Sequence, residues 1–215
     1  ILIWYWYLME NYNYKIKNFL ENQILDVKNP KIIEFGVREG RSTKMFLDLC
    51  RENNGELYSI DIDDYSNLYN DKNWKFIQTR DDNFKFLEDR IPNLFDIIYL
   101  DSLHEAQHVE KIFYHYFSKL RINGFFFIDD ISWLPYLRNE KRSNFYCEIN
   151  NKETFEKILS IFQSNQDSLD LSFSFISSGM CKILKKKDKL NPPVKIETRE
   201  KSLKNLMRKM SNYIK

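Results

Sequence analysis

Short apolar runs and longer amphipathic stretches alternate along the chain from Lys31 to Asp130. Short runs rich in apolar, β-branched and aromatic residues predict strands, and stretches with apolar residues at every third or fourth position predict helices. The predicted strands are 31–36, 56–63, 74–79, 95–101 and 125–131, and the predicted helices between them are 41–53, 82–90 and 104–120. Strands that alternate with helices in this way predict a parallel sheet with helices on both faces.

After Ile131 the pattern changes to a loop rich in Trp, Tyr, Arg and Asn, which extends to about Asn150. Beyond this loop the sequence predicts a helix and then two strands joined by a tight turn, over 153–164, 170–176 and 180–186. Additional helices are predicted near the two ends, over 9–26 and 199–214. These features divide the chain into an N-terminal aromatic segment with a helix, a central α/β domain and a basic tail, at 1–29, 30–186 and 187–215.

The formal net charge is only +2, but it is unevenly distributed. Residues 182–215 contain 12 Lys or Arg and 3 Asp or Glu, whereas residues 1–181 contain 21 and 28. An acidic body does not favour a nucleic-acid partner, and the basic tail is interpreted as a solvated segment or as a contact for an acidic partner.

Cysteine usage and the N-terminus bear on the compartment. Cys50, Cys147 and Cys181 are far apart and form no CxxC pair, which predicts neither a disulfide framework nor a zinc knuckle and fits a reducing compartment. The apolar run at the N-terminus is shorter than the ~20 residues that a membrane-spanning helix needs, and it does not have the features of a signal peptide. We therefore expect a cytoplasmic protein without a transmembrane segment.

The loop after the first strand contains two of the five glycines, Gly36 and Gly40. Glycine there allows backbone to approach a ligand, and the N-terminus of the next helix offers free N–H groups to an anion. Arg38 occupies the place of the middle glycine in GxGxxG, which argues against a pyrophosphate and therefore against an NAD-dependent enzyme. The start of this helix, with Ser42 and Thr43, would instead suit a carboxylate, and Glu34 would suit an ammonium, directly or through water. The alternative is an ordinary tight turn.

Acidic residues follow the second and third strands. Asp61 is placed to accept the hydroxyls of a ribose, next to Ile62. Asp81, followed by Asp82, could receive an adenine amino group, although capping of the following helix is an equal alternative for Asp81.

Three more carboxylates, Asp101, Asp129 and Asp130, follow the fourth and fifth strands. Adjacent parallel strands would bring them together at the carboxyl edge of the sheet, where three acids repel one another unless a cation or proton intervenes. A hard divalent ion such as Mg²⁺ would fit and would lower the pKa of a substrate hydroxyl, while capping is the alternative. His104 could act as the general base.

Taken together, these motifs resemble the S-adenosylmethionine-dependent methyltransferases with a Rossmann-like fold. The closest resemblance is to the group of macrocin O-methyltransferase and similar sugar or antibiotic O-methyltransferases. It covers roughly residues 30–186 and implies a seven-stranded sheet of order 3-2-1-4-5-7-6 with an antiparallel strand 7. It also implies that S-adenosylmethionine is bound by Glu34, Gly36, Arg38, Gly40, Ser42, Thr43, Asp61, Ile62, Asp81, Asp82 and Asp101, and that Mg²⁺ is a candidate second cofactor on Asp101, Asp129 and Asp130.

The resemblance implies O-methylation of a sugar or another small hydroxyl-bearing acceptor, with His104 and Asp101 as the catalytic residues. The family's fourth-strand motif usually reads Asp-Gly-Asp-His, and Leu103 replaces its second acid, which leaves His104 as the first choice of base. The loop 132–150 would shape the acceptor pocket through aromatic and basic side chains, namely Trp133, Tyr136, Arg138 and Arg142. Association into a homo-oligomer is left open.

Two other functions compete with this interpretation. Residues 104–108, His-Glu-Ala-Gln-His, match the HExxH pattern of zinc hydrolases, although they lie in a predicted crossover between parallel strands. The second is a binding or assembly protein that kept the methyltransferase fold and lost the activity, which Leu103 favours.

Overall fold

The computed structural model describes residues 14–16, 19, 27–133, 145–197 and 202–213. Seven strands form one sheet of order β3-β2-β1-β4-β5-β7-β6. The strands are β1 (Lys31–Phe35), β2 (Glu56–Asp61), β3 (Trp74–Gln78), β4 (Phe95–Leu100), β5 (Leu120–Asp129), β6 (Leu169–Ser174) and β7 (Met180–Lys185). β1 to β5 pair in parallel, and β7 pairs antiparallel with both β5 and β6. The predicted fold class and sheet order are confirmed.

Besides a short helical stretch at 14–16, five helices accompany the sheet within the described residues: α1 (Arg41–Asn53), α2 (Phe84–Glu88), α3 (Ala106–Phe117), α4 (Phe145–Asn165) and α5 (Leu203–Tyr213). β1 has apolar side chains on both of its sides, because successive side chains of a strand point to opposite faces of the sheet. Each face is therefore covered by helices. Ile33 and Phe35 belong to a core that includes residues of α3 and α4, whereas Ile32 belongs to a second core with Phe46 of α1. A strand buried on both faces explains the almost continuous apolar run at its position in the sequence.

The predicted boundary between the long helix and the fifth strand was wrong. The long helix ends at Phe117 rather than at 120, and β5 begins at Leu120, five residues before the predicted start. Asn123 and Gly124 lie inside β5, where Asn123 has a φ of +64°. The fully buried Lys185 explains the early end of the helix, because its Nζ donates to the carbonyl oxygens of Phe117 and Leu120 at 2.8 and 2.5 Å.

The region after Ile131 also differs from the prediction. α4 already includes Phe145, eight residues before the predicted start at 153, so the last part of the predicted loop 132–150 is helical. Tyr136, Arg138 and Arg142 lie outside the described residues. The predicted helix 9–26 is described only at 14–16, which is helical, and at 19. No helix in the described part of the chain is long and apolar enough to cross a membrane.

Candidate functional site

The turn after β1 is held in the conformation that its glycines allow. Gly36 has a φ of +94°, and its N–H donates to the carbonyl oxygen of Ile60 at 2.9 Å. A Cβ at Gly36 would lie 2.1 Å from the carbonyl oxygen of Asp101, so a side chain at this position would clash with the end of β4. Gly40, with a φ of +72°, precedes the first residue of α1. The predicted glycine turn before a helix N-terminus is therefore present, and it brings the ends of β1 and β4 into contact.

Asp61 fixes this turn from the neighbouring strand. Its Oδ2 accepts the backbone N–H of Val37 at 2.7 Å and, more weakly, that of Arg38 at 3.4 Å. Its Oδ1 accepts the N–H of Asp63 at 3.0 Å. A carboxylate oxygen can accept more than one hydrogen bond, so Asp61 keeps acceptor capacity for a ligand. Ile62, the next residue, is exposed.

Glu34 lies fully buried beneath the turn. Its Oε2 accepts hydrogen bonds from the hydroxyls of Thr43 and Ser59 at 2.7 and 2.8 Å. Its Oε1 has no hydrogen-bond partner among the described residues. Burial raises the pKa of Glu34 to about 7, against the opposing effect of the nearby hydroxyls of Ser42, Thr43 and Ser59. A buried acceptor without a partner is costly, so a positively charged or donating group supplied by a ligand or water would stabilise Glu34.

A cavity of about 590 Å³ opens at the carboxyl edge of the sheet. This volume lies within the range of small-molecule and cofactor sites. Of the predicted site residues, it is lined by Gly36, Arg38, Ser42, Asp101, His104, Asp129 and Asp130. Glu34, Gly40, Thr43, Asp61, Ile62, Asp81 and Asp82 do not line it. Ser178, in the turn between β6 and β7, lines the cavity and was not predicted.

Asp81 forms a buried hydrogen-bond cluster with partners that the sequence did not predict. Its Oδ2 accepts the hydroxyl of Ser102 at 2.5 Å and lies 2.7 Å from Nε2 of His108. The alternative prediction that Asp81 caps the helix was wrong, because the N-cap of α2 is Asn83.

Asp82, which was predicted to contact the cofactor, bonds to the exposed side chains of Arg80 and Lys111. These contacts and the position of Asp82 outside the cavity place it with the surface ion pairs. They give it no part in the arrangement around the turn.

The HExxH segment does not form a zinc site. α3 begins at Ala106, so His104 precedes the helix rather than sharing a face with His108. His108 bonds to Asp81, and His104 faces the cavity. The two imidazoles therefore serve different clusters, which argues against the zinc hydrolase.

Asp101 and Asp130 meet around His104, as their positions at strand ends predicted. Nε2 of His104 lies 3.4 Å from Oδ1 of Asp101 and 3.4 Å from Oδ2 of Asp130. Burial alone would lower the pKa of His104, but the hydrogen bond to Asp101 and the surrounding negative charges outweigh it and raise the pKa to about 9. His104 is therefore an imidazolium at neutral pH, which donates hydrogen bonds and cannot accept a proton until it is deprotonated.

Asp129 is paired with a lysine that the sequence did not predict as its partner. Oδ1 of Asp129 lies 2.5 Å from Nζ of Lys15, and both side chains are essentially inaccessible. Oδ1 also accepts the N–H of Asp130 at 2.8 Å, and Oδ2 accepts the hydroxyl of Tyr99 at 3.0 Å. Nζ of Lys15 donates in addition to Ser178 Oγ at 2.9 Å. Burial raises the pKa of Asp129, and the ammonium of Lys15 partly offsets this effect.

The three predicted metal ligands meet, but their arrangement does not fit a metal ion. Both oxygens of Asp129 are already engaged, and His104 lies between Asp101 and Asp130. Within the part of the chain that the structure describes, no group of three or more His, Cys, Asp or Glu side chains could hold a metal ion. The geometry therefore opposes the predicted metal site on Asp101, Asp129 and Asp130.

Residues 33–131 match a family model described as a methyltransferase domain. No characterised protein sequence matches the chain at a significant level. Among solved structures, the MycE methyltransferase from the mycinamycin biosynthetic pathway, in complex with Mg and SAH, superposes with a TM-score of 0.61 at 18% identity over 84% of this chain. The chain has a methyltransferase fold. Its sheet order and these similarities confirm the predicted resemblance to S-adenosylmethionine-dependent methyltransferases.

Two further structures share this methyltransferase fold. A putative caffeoyl-CoA O-methyltransferase from Staphylococcus aureus has a TM-score of 0.57 at 16% identity, over 76% of this chain and 78% of that chain. The SAH-bound Podospora anserina methyltransferase PaMTH1 has a TM-score of 0.57 at 16% identity, over 84% and 88%. The chain spans about half the length of MycE, covering 54% of it.

Proposed function

We propose that this chain binds S-adenosylmethionine at the turn after β1 and transfers its methyl group to a hydroxyl oxygen of a small acceptor, with a sugar as the favoured class. The observation that carries the proposal is the buried carboxylate of Glu34, whose Oε1 has no partner among the described residues, beneath a glycine turn and a helix N-terminus. An amino acid offers an ammonium and a carboxylate that match these two features. The solved structures with this fold include SAH complexes.

The residues present fit each part of the cofactor. The methionine carboxylate would approach the N-terminus of α1 near Gly40 and Ser42, and the ammonium would interact with Glu34 through water, because Glu34 does not line the cavity. Asp61 has acceptor capacity left for the ribose hydroxyls. For the adenine, Ile62 would supply apolar contact and Asp81 would receive the amino group through the oxygen that Ser102 and His108 leave open.

The acceptor would bind between the cofactor and the cluster of Asp101, His104 and Asp130. In the reaction the bond between the methyl carbon and the sulfonium breaks, a carbon–oxygen bond forms, and the hydroxyl proton goes to a base. We assign Asp101 as the proton acceptor at neutral pH, because His104 is then protonated and orients the carboxylate. His104 itself becomes a base only when it is neutral. We include no divalent ion in this step, because the carboxylates do not fit a metal ligand set.

Charged groups at the cavity support a polar acceptor. Arg38 and Arg41 line the cavity together with the acids, so it is not a closed apolar pocket. This lining suits hydroxyl groups of a sugar and would tolerate an acidic substituent.

Cys50 and Cys181 are buried free thiols, which is consistent with action in a reducing, cytoplasmic compartment.

The first test is calorimetric titration with S-adenosylhomocysteine. Micromolar binding is expected, and both Asp61→Ala and Glu34→Gln should weaken it by roughly tenfold or more, because each removes a charge-assisted interaction. Asp63→Ala is the matched control, since Asp63 is an exposed carboxylate two residues from Asp61 and should leave the affinity unchanged. No binding by the wild-type chain would refute the proposal.

A second candidate function is a methyltransferase-fold protein that binds ligand without transferring a methyl group. The exposed Leu103 favours it, because this residue stands where the macrocin O-methyltransferase group usually has the second acid of its fourth-strand motif. Incubation with methyl-labelled S-adenosylmethionine and a panel of sugars and glycosides separates the two. Transfer to any hydroxyl acceptor supports the enzyme, whereas cofactor binding without transfer across sugars, phenols and hydroxy acids supports the binding protein.

A further inference from the structure

We propose that Lys15 is a positioning residue that supplies the cation of this acid cluster, so that the chain binds no divalent ion at Asp129. The proposal deepens the proposed function, since it assigns how the charge beside the reacting groups is balanced. It rests on the placement of one ammonium between a strand end and a turn at the cavity.

The first observation is where Lys15 lies. Its side chain is fully buried, and its Nζ contacts Asp129 at 2.5 Å and Ser178 at 2.9 Å. Asp129 and Ser178 both line the cavity, whereas Lys15 does not. Lys15 therefore acts through these two residues and is not placed to touch the cofactor or the acceptor.

The second observation concerns the space around Asp129. Its Oδ1 is shared by the ammonium of Lys15 and the N–H of Asp130, and its Oδ2 accepts the hydroxyl of Tyr99. A Mg²⁺ ion bound to either oxygen would lie about 2.1 Å from it, which places the ion within a few ångströms of Nζ. Two cations at that separation repel each other strongly in a buried site. Lys15 and a divalent ion are therefore competing occupants of the same place.

The third observation is that the remaining carboxylates also have a basic partner. His104 contacts Asp101 and Asp130, and these acids line the cavity with it. The cluster of three carboxylates is thus served by two protein side chains from different parts of the chain. Unlike a metal ion, the ammonium of Lys15 supplies positive charge without coordinating the acceptor hydroxyl. The hydroxyl would therefore contact Asp101 directly.

The test measures Mn²⁺ binding by the decrease of the free-ion electron paramagnetic resonance signal. The wild-type chain and Lys15→Arg should show no stoichiometric site at metal concentrations up to about 1 mM, the weak end of protein sites for hard cations. Lys15→Met uncovers Asp129 and should gain a site at least roughly tenfold tighter than any weak binding by the wild type. The double variant Lys15→Met with Asp129→Asn should lose that gain.

A merely structural role for Lys15 would not create a metal site, so the gain in Lys15→Met separates positioning from packing. One Mn²⁺ bound per wild-type chain, and lost in Asp129→Asn, would overturn the proposal even if Lys15→Met failed to fold. Titration with S-adenosylhomocysteine in Mg²⁺ and in a chelator provides an independent readout. Equal affinity in both is expected, whereas loss of binding in the chelator would refute the inference and leave the proposed function standing.

Discussion

The backbone N–H of Val37 donates a hydrogen bond of 2.7 Å to Oδ2 of Asp61, which ties the turn after β1 to the end of β2. The residue proposed to bind the ribose therefore also holds the turn that would receive the amino-acid part of the cofactor. Substitutions of Asp61 can therefore affect both the stability of the fold and the affinity for the cofactor, and different substitutions should separate these two effects.

We expect Asp61→Ala to lower the free energy of unfolding by about 1.5–3 kcal/mol, the usual size for loss of a hydrogen bond to a charged group. Asp61→Asn keeps an oxygen for the N–H of Val37 and should cost less stability, but it should still weaken S-adenosylhomocysteine binding because the charge is lost. Urea unfolding and calorimetry of the two variants check this. Equal ligand affinity in the wild type and Asp61→Asn would contradict the ribose role.

Gly36 and Gly40 provide a matched pair of substitutions. Both have positive φ, but a Cβ at Gly36 would lie 2.1 Å from backbone at Asp101, whereas one at Gly40 would lie 3.1 Å from the hydroxyl of the Tyr69 side chain. A side chain can move away more easily than the end of a central strand. Gly36→Ala should therefore destabilise the fold by more than the about 1–3 kcal/mol of backbone strain alone, and Gly40→Ala by about that strain. Thermal unfolding of the two variants should rank them in this order.

The strands could be predicted from local patterns, whereas their order in the sheet was implied by the resemblance to the methyltransferases. Apolar runs such as 31–35 mark strands that are buried on both faces, and glycine at 36 marks the turn that leaves the first of them. The ends of β4 and β5 then meet at one edge, which correctly brought Asp101, Asp129 and Asp130 together.

The partners of these acids could not be predicted, because they come from distant parts of the chain. Lys15 is 114 residues from Asp129, and nothing in the local sequence distinguishes it from the nearby Lys17. His108 and Ser102 reach Asp81 from other elements in the same way. Which charges pair in a buried site depends on the folded arrangement of the chain. The positions of the carboxylates at the strand ends could therefore be predicted, whereas the side chains that neutralise them could not.

The pair of Lys15 and Asp129 should be a strong determinant of stability. Removing one partner of a buried ion pair leaves an uncompensated charge, which costs about 3–5 kcal/mol, whereas removing both can be nearly neutral. Lys15→Met should therefore be more destabilising than Lys15→Met combined with Asp129→Asn in urea unfolding. Lys44→Met is the control, because Lys44 pairs with Asp48 on the surface and its loss should not measurably change stability. A double variant no more stable than Lys15→Met would contradict this expectation.

His104 should titrate well above the ordinary histidine range. Its pKa is raised to about 9 because the nearby carboxylates outweigh the effect of burial. A raised folded-state pKa means that His104 stabilises the fold fully below its unfolded value near 6.5, and that this contribution is lost as the pH rises through about 9. The chain has only three histidines, so the imidazole resonances can be followed by NMR. Asp101→Asn should lower the pKa of His104, and an ordinary value in the wild type would contradict the cluster geometry.

Glu34 predicts how cofactor affinity depends on pH. Burial raises its pKa to about 7, so the fold favours the protonated acid. The corresponding loss of stability begins above the unfolded value near 4.5 and is complete above about 7, because the buried carboxylate is then charged without a cation. An ammonium bound nearby favours the charged form and lowers the pKa of Glu34. Binding of S-adenosylhomocysteine should therefore release protons near neutral pH.

Calorimetry at several pH values tests this linkage. The affinity for S-adenosylhomocysteine should rise from about pH 5.5 to about pH 7.5, by at most roughly 25-fold if only the ionised acid binds, and then level off. Titrations in buffers of different ionisation enthalpy should detect the released proton directly. Glu34→Gln should bind more weakly, show no such rise and release no proton, while gaining stability above pH 7. A pH profile that is the same in Glu34→Gln and the wild type would mean that the ammonium binds elsewhere, and it would remove the observation on which the cofactor assignment depends.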